Sequence, residues 1–95
     1  MAAYKLAEAA EGDLDRIYEY GLEHWDEAAA DRYYNALFDR FEEIAERPYS
    51  YPAVDHIRTG YRRSVCGVDS ICYRIDNDIV EIMAILGSQD TDTTL

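Results

Sequence analysis

The stretch from residue 60 to residue 86 constrains the fold more than any other part of the chain. It is rich in β-branched and aromatic residues, which favour strands, and short turn-forming sequences interrupt it. The strand-like runs lie at 61–65, 70–75 and 79–86, and the turns at 66–69 and 76–78. Because turns this short join antiparallel neighbours, the stretch predicts a three-stranded antiparallel meander.

The last of these runs is almost continuously apolar and is broken only by Glu81. A strand of this kind is covered on both faces, which predicts a central position in the sheet. Near the start of the chain, Tyr4 and Leu6 flank Lys5 in a run that stops within a few residues. This alternation predicts a short first strand at an edge of the sheet.

Between these strand regions the apolar residues recur at spacings of three and four, the period of a helix. They are Ala10, Leu14, Ile17, Tyr18, Gly21, Leu22 and Trp25 in the first segment, and Ala30, Tyr34, Leu37, Phe41 and Ile44 in the second. We predict helices over 8–24 and 27–47, with Asp26 as the N-cap of the second helix and Pro48 as its stop. The corner at 25–27 is so short that the helices must form an antiparallel hairpin.

The predicted fold class is α+β, with an N-terminal strand, an antiparallel helical hairpin and a three-stranded antiparallel meander that forms one sheet. The 95 residues make a single domain, 1–95, with a polar, loosely held tail at 88–95. No apolar run approaches the length of about 18 residues that spans a bilayer. The first residues also lack the basic and apolar parts of a secretory signal. We therefore expect a soluble cytoplasmic protein that does not contact membranes.

The two cysteines, Cys66 and Cys72, suit a reducing compartment. The predicted hairpin would place Cys66 opposite position 70 rather than opposite Cys72, which is poor geometry for a disulfide. We therefore predict two small buried thiols. His24 and His56 are isolated, and the chain has no phosphate-binding glycine loop and no paired metal-ligand motif. We predict no catalytic residue, no metal and no cofactor.

The net charge limits the function further. The chain carries 20 acidic and nine basic residues, for a formal net charge of −11, whereas a protein that binds nucleic acid through its overall field is basic. The acidic residues concentrate at 8–46, where they are typical of a solvated helix surface. Four arginines lie in the sheet half instead, namely Arg58, Arg62, Arg63 and Arg74. One face of the protein is therefore expected to be locally positive.

These arginines and Tyr73 form the candidate site. Alternation along a strand places Arg62 and Arg63 on opposite faces, so the whole set cannot converge on one point. Three interpretations stay open. The arginines bind carboxylates of a partner, or they stabilise phosphate charge in a nuclease whose tyrosine or histidine moves protons, or they pair with the protein's own acidic helices.

Several short pieces of the sequence, taken together, carry a resemblance to a known family. They lie at 4–6, 10–18, 30–34 with Leu37, 46–48, 57–62, 71–74 and 80–86. Their order and spacing, over nearly the whole chain, resemble the ParE toxins of bacterial type II toxin-antitoxin modules, within the RelE/ParE superfamily.

The resemblance implies a toxin that carries out no chemistry itself. ParE-like proteins poison DNA gyrase by trapping its cleaved-DNA state, and a ParD-like antitoxin neutralises them by laying an extended or helical tail across the toxin. This implies a hetero-oligomer that meets DNA only through the antitoxin. Target contacts in the family are often placed in the C-terminal segment, which here contains Gln89. The residues expected to contact the antitoxin or gyrase are Arg58, Arg62, Arg63, Tyr73, Arg74 and Gln89.

Two alternatives stay open. A ribosome-dependent mRNA endonuclease of the RelE type would share the fold, but it needs a lysine-rich, ribosome-binding surface, and Lys5 is the only lysine here. A non-toxic homologue that still binds an antitoxin is the other alternative, and the strongly acidic charge motivates it.

Overall fold

A computed structural model describes residues 3–87 as one sheet of four strands and two helices. The elements are β1 (Tyr4–Leu6), α1 (Glu8–His24), α2 (Glu27–Glu46), β2 (Tyr61–Cys66), β3 (Asp69–Asp76) and β4 (Ile79–Gly87). The strand order is β1-β4-β3-β2, with β1 parallel to β4 and the other pairs antiparallel. The predicted α+β class, the edge position of β1 and the central position of β4 are confirmed. The predicted tail at 88–95, which includes Gln89, lies outside the described residues.

The element boundaries differ from the predicted ones by one residue at most. Helix α2 ends at Glu46 rather than residue 47, and the Arg47 N–H donates to the Glu43 carbonyl at 3.0 Å. The first hairpin turn comprises only residues 67 and 68. Cys66 therefore pairs with Asp69 and not with position 70 as predicted. The two-residue turn is possible because Gly67 adopts a φ of 61°.

The second hairpin turn is equally tight. Asn77 and Asp78 have φ values of 52° and 65°, the left-handed conformation that both central residues of a type I′ turn adopt. Asparagine and aspartate tolerate this conformation better than other residues with a side chain. The turn places Ile79 opposite Asp76 and fixes the register of β4 on β3.

A β-bulge in β4 explains why that strand is apolar almost throughout. Cys72 pairs with Ala84, but the next residue, Tyr73, pairs with Ile82, so Met83 is an extra residue in β4. The bulge reverses the alternation of side chains. Ile82 and Ile85 therefore both reach the same main core although they are three positions apart.

The sheet lies between a helical layer and a loop layer. On one face, α1 and α2 bury the main core, whose fully buried members include Leu37, Phe41 and Ile44 of α2. On the other face, Val54 packs with Tyr61, and a smaller core forms there with Cys72 and Leu86. Both cysteines are free and buried, as the sequence predicts.

The helical hairpin is closed by an N-cap and by close packing. The Asp26 carboxylate accepts a hydrogen bond from the Ala29 N–H at 2.7 Å, which confirms the predicted N-cap. A Cβ atom at Gly21 would lie 3.0 Å from Ala30 Cβ, so the glycine allows the two helices to approach closely. Within residues 3–87, neither helix combines the length and apolarity that crossing a membrane requires.

Candidate functional site: an arginine- and tyrosine-rich surface beside β2

The segment between α2 and β2 wraps the outer edge of β2 and holds the candidate site in place. The Val54 N–H donates to the Tyr61 carbonyl at 2.8 Å, and the Arg63 N–H donates to the Pro52 carbonyl at 3.1 Å. The Asp55 carboxylate accepts from the Gly60 N–H at 2.8 Å, which closes the loop that leads into the strand. These bonds fix the backbone of the segment that carries Arg58 and Arg62.

Arg58 and Arg62 each lie over a tyrosine ring. The Arg62 guanidinium carbon is 5.0 Å from the centroid of the Tyr49 ring, and that of Arg58 is 5.4 Å from the centroid of Tyr61. Both distances are typical of cation–π contacts. Arg62 also donates through Nη1 to the Tyr51 carbonyl at 2.7 Å. Tyr49, Tyr61 and Arg62 line a cavity of about 260 Å³.

The basic residues divide by whether they have an acidic partner. Four of them form ion pairs within residues 3–87: Lys5 with Asp76, Arg16 with Asp13, Arg40 with Glu43 and Arg74 with Glu81. The other five, Arg32, Arg47, Arg58, Arg62 and Arg63, form none with any residue in that range. The interpretation that the arginines of the candidate site fold back onto the acidic helices is therefore wrong for Arg58, Arg62 and Arg63. Arg74 does have an acidic partner, but Glu81 belongs to β4 and not to a helix.

Arg63 faces away from Arg62, as strand alternation predicts. It is half-buried and pairs in register with Cys72, whereas Arg62 pairs with Tyr73 on the other face. Burial raises the pKa of the Cys72 thiol to about 11, and the Arg63 charge acts in the opposite direction. The predicted set therefore splits between the two faces of the sheet.

Tyr73 does not belong to the exposed surface, which corrects its assignment as a contact residue. Its side chain is fully buried in the main core, and its hydroxyl donates to the Pro48 carbonyl at 2.5 Å. Burial raises its pKa to about 12. Tyr73 therefore ties the end of α2 to the sheet. A partner cannot reach it without disrupting the core.

Sequence reasoning missed the tyrosines that surround the arginines. Tyr49 and Tyr51 lie in the proline- and tyrosine-containing tract after α2, which the sequence marks only as a loop. Tyr49 is 69% exposed, and Tyr51 lies 6.0 Å from the guanidinium carbon of Arg40. The signal that was available is the repeated tyrosine in a short loop, because exposed aromatic rings favour interfaces.

Two further surfaces lie on the helical hairpin. A cleft of about 330 Å³ between the helices is lined by Tyr18, Tyr34 and three acidic side chains. At the closed end of the hairpin, a cavity of about 380 Å³ is lined by Tyr20, Trp25 and Val68, among others. Tyr20, Trp25 and Val68 are 54%, 43% and 70% exposed, so this end presents a patch of exposed apolar side chains.

Side chains cap both edges of the sheet. On β4 beyond the short β1, the Ile85 N–H donates to the Asp13 carboxylate at 2.9 Å, and Arg16 donates to the Ile85 carbonyl at 3.4 Å. On β2, Arg40 donates to the Val65 carbonyl at 2.7 Å. A strand added from outside would displace Arg16 at one edge or Arg40 at the other.

The described cysteines are not available as nucleophiles. The nucleophiles Cys66 and Cys72 are buried, and burial raises the pKa of both thiols, which keeps them protonated and unreactive. No group of three or more histidine, cysteine or acidic side chains within residues 3–87 is arranged to hold a metal ion. Open cavities lined by arginine and tyrosine are suited to recognising a partner.

The buried thiol and phenol make stability sensitive to alkaline pH. Burial raises the pKa of Cys72 from 9.0 to about 11 and that of Tyr73 from 10.0 to about 12. Their neutral forms therefore contribute stability below pH 9, and this contribution is lost as the pH rises from 9 to about 12. Urea titrations across this range should show a falling free energy of unfolding. Burial also raises the pKa of Cys66 from 9.0, so Cys72→Ala should reduce the loss between pH 9 and about 11 without abolishing it. An unchanged slope in this variant would contradict the assignment.

Comparison with known proteins identifies the family of this chain. The family model described as the ParE toxin of the type II toxin-antitoxin system parDE matches residues 4–91. A toxin ParE1 from Caulobacter vibrioides is 35% identical over 86 residues, which span 90% of this chain and 88% of that protein. A toxin ParE1 from Mycobacterium tuberculosis is 28% identical over 94 residues, which span 97% and 96%.

A solved structure shares the fold. A chain from the chromosomal ParDE toxin-antitoxin system of P. aeruginosa superposes with a TM-score of 0.80 over 92% of this chain and 96% of that one, at 17% identity. This likeness shows the fold, while the family model matches nearly the whole chain and the Caulobacter relative is 35% identical. The protein therefore belongs to the ParE toxin family of type II toxin-antitoxin systems.

Proposed function

We propose that the protein is a toxin that inhibits DNA gyrase by binding and is kept silent by a ParD-like antitoxin. The observation that carries this proposal is the match of the ParE family model to residues 4–91. The similarity to a chain of a ParDE system supports an antitoxin partner of the ParD type. In this function the toxin and antitoxin form a hetero-oligomer, and the toxin meets DNA only through its partners.

The described surfaces suit the docking of a peptide tail. The chain offers a cavity beside β2, a cleft along the helical hairpin and an aromatic patch at its closed end. Two of these features lie on the helical hairpin and one lies beside β2, in a protein whose described part measures 37 × 34 × 22 Å. A tail that follows grooves over this distance gains affinity from many small contacts. The contacts that we propose with the antitoxin or gyrase are Arg58, Arg62, Arg63 and Arg74. Gln89, the remaining proposed contact, lies beyond the described residues.

Action by binding is consistent with the chemistry of the chain. Its thiols are buried and protonated, and its formal net charge of −11 opposes direct capture of DNA or RNA through the overall field. A protein of this kind inhibits an enzyme by stabilising one of its conformations. For gyrase, that conformation is the one in which the DNA is cleaved.

The test is induced expression of the chain alone in a bacterium, followed by gyrase supercoiling and DNA-cleavage assays with the purified protein. We expect growth arrest, loss of supercoiling activity and accumulation of cleaved DNA, all reversed by co-expression of a ParD-like antitoxin. The control is the same plasmid with a stop codon in place of Tyr4.

Two results would contradict the proposal. Unimpaired growth and unimpaired gyrase, with the antitoxin still bound, would indicate a homologue that keeps only the antitoxin interaction. Growth arrest with intact gyrase and with cuts in translated messages, detected by primer extension, would indicate an mRNA endonuclease of the RelE type.

A further inference from the structure

We infer that the cavity beside β2 receives a carboxylate side chain of the antitoxin. Arg62, which lines the cavity, binds this carboxylate together with Arg58, which lies over the ring of the lining residue Tyr61. This inference rests on the proposed function, since it names the chemistry of the segment that docks at this site. Its starting point is a group of arginines without acidic partners in a protein that has a large excess of acid.

Charge is the first step of the argument. With 20 acidic residues for nine basic ones, an arginine of this protein has many candidate partners on its own chain. Lys5, Arg16, Arg40 and Arg74 are paired in this way, whereas the other five basic residues, Arg32, Arg47, Arg58, Arg62 and Arg63, pair with no acidic residue within residues 3–87. Of these five, Arg62 lines the cavity beside β2. A half-buried guanidinium such as that of Arg62 has lost part of its hydration, so an anion that supplies the missing partner binds favourably.

The hydrogen-bonding capacity of Arg62 is the second step. A guanidinium carries five N–H donors in a planar fork. Within residues 3–87, Arg62 uses Nη1 for the Tyr51 carbonyl, and its face lies towards the Tyr49 ring. The other donors of the group make no hydrogen bond within that range, and the residue lines the cavity. Two parallel bonds to the two oxygens of a carboxylate match the planar fork.

Preorganisation is the third step. Tyr61, the ring over which Arg58 lies, is 8% exposed and belongs to the smaller core. The loop that carries Arg58 is held by the Arg58 N–H, which donates to the Val54 carbonyl at 2.9 Å, and by the Tyr61 N–H, which donates to the Arg58 carbonyl at 3.1 Å. Both arginines are therefore placed before the partner arrives, which lowers the entropy cost of binding.

A peptide carboxylate fits the cavity better than a nucleic-acid phosphate does. The cavity measures about 260 Å³, enough for one side chain. One of its walls is Asp55, whose carboxylate oxygen already accepts from the Gly60 N–H. A single carboxylate brings one negative charge, whereas a nucleic acid brings a row of them to a protein whose net charge is −11.

The first experiment measures the affinity of the ParD-like antitoxin for the wild type, Arg58→Gln, Arg62→Gln and the double variant. We expect a loss of about tenfold for Arg62→Gln and a larger loss for the double variant, with a weaker dependence on salt between about 50 and about 500 mM. Arg32→Gln is the matched control, because Arg32 is an exposed arginine on α2 and the change of charge is the same. Equal affinities for the wild type and the double variant would overturn the inference.

Arg62→Gln also removes the bond to the Tyr51 carbonyl, so folding needs a separate check. Arg58→Gln supplies it, because the Arg58 side chain makes no hydrogen bond within residues 3–87. Arg58→Gln alone should keep the wild-type melting temperature and lose affinity by a few-fold. Unchanged affinity in a folded Arg58→Gln protein would remove Arg58 from the site.

A second experiment separates this inference from the proposed function. Blocked hexaglutamate, blocked hexaglutamine and hexathymidylate are titrated into ¹⁵N-labelled toxin. We expect hexaglutamate alone to shift the amide signals of residues 49–62, and we expect no shift in the double variant. Shifts from hexathymidylate alone, or no shift from hexaglutamate, would overturn the inference even where the antitoxin binds. Failure of the antitoxin to bind the wild type would count against the proposed function instead.

Discussion

Replacing Phe41 by alanine should lower the free energy of unfolding by about 3–5 kcal/mol, the range for a fully buried phenylalanine. Phe41 is 0% exposed and links helix α2 to strand β1. Its ring meets Tyr4 of β1 edge-on at 5.5 Å between centroids, and it meets Phe38 of α2 at 5.2 Å. Truncation at Cβ removes these contacts and leaves a cavity between the helical hairpin and the first strand.

The size of the expected loss matters because small domains are stable by only about 5–15 kcal/mol. Urea titration of Phe41→Ala measures the loss directly, and Phe41→Leu is the matched control, with an expected loss of about 1–2 kcal/mol because it fills more of the space. The antitoxin should raise the melting temperature of Phe41→Ala, since a ligand that binds only the folded state stabilises it. A loss below about 1 kcal/mol for Phe41→Ala would show that the core closes around the site.

The helices were the most predictable part of the fold. Leu37, Phe41 and Ile44 recur at helical spacing in the sequence and are fully buried in the structure. The strong period, the Asp26 cap and the Pro48 stop each act locally, within a few residues along the chain. Local signals of this kind predict element type and boundaries well, and here the ends agree to within one residue.

The register of the sheet was less predictable, because it depends on contacts between distant residues. The bulge at Met83 leaves no mark on composition, since an unbroken apolar run is equally typical of a buried strand without a bulge. Cys66 pairs with Asp69 rather than with the predicted position 70, because Gly67 allows a turn of two residues. A one-residue change in a turn alters every pairing beyond it.

The sequence indicates the arginines of the candidate site, but it does not predict how the tyrosines are arranged around them. Arg58 and Arg62 stand out in the sequence because the acidic residues lie elsewhere. Tyr73 is equally prominent beside Arg74, yet alternation turns it into the main core. Tyr49 and Tyr61 come together around Arg62 only because the loop after α2 folds over the edge of β2. The sequence of a loop does not determine that path, since backbone bonds to β2 fix it.

Replacing Gly67 by alanine should lower the free energy of unfolding by about 2–4 kcal/mol. This value is the sum of the cost of an unfavourable backbone conformation and the cost of a steric clash. Its φ of 61° is unfavourable for any residue with a side chain. A Cβ atom would also lie 2.5 Å from Tyr33 Cε1 and 2.8 Å from its hydroxyl oxygen. Tyr33 cannot easily move aside, because its hydroxyl lies 2.6 Å from the Asp69 carboxylate and 2.9 Å from the Cys66 carbonyl.

Two other glycines separate these costs. Gly60 has a φ of 83°, but a Cβ there would meet nothing within 4 Å, so Gly60→Ala should lose only the backbone cost of about 1 kcal/mol. Gly12 lies in α1 with equally open space, so Gly12→Ala should gain about 0.5–1 kcal/mol from helix propensity. Urea titration of all three variants gives the contribution of Tyr33 as the excess loss of Gly67→Ala over Gly60→Ala. A Gly67→Ala loss equal to that of Gly60→Ala would mean that Tyr33 yields to the new methyl group, and that its bonds to Asp69 and Cys66 do not hold the first hairpin against α2.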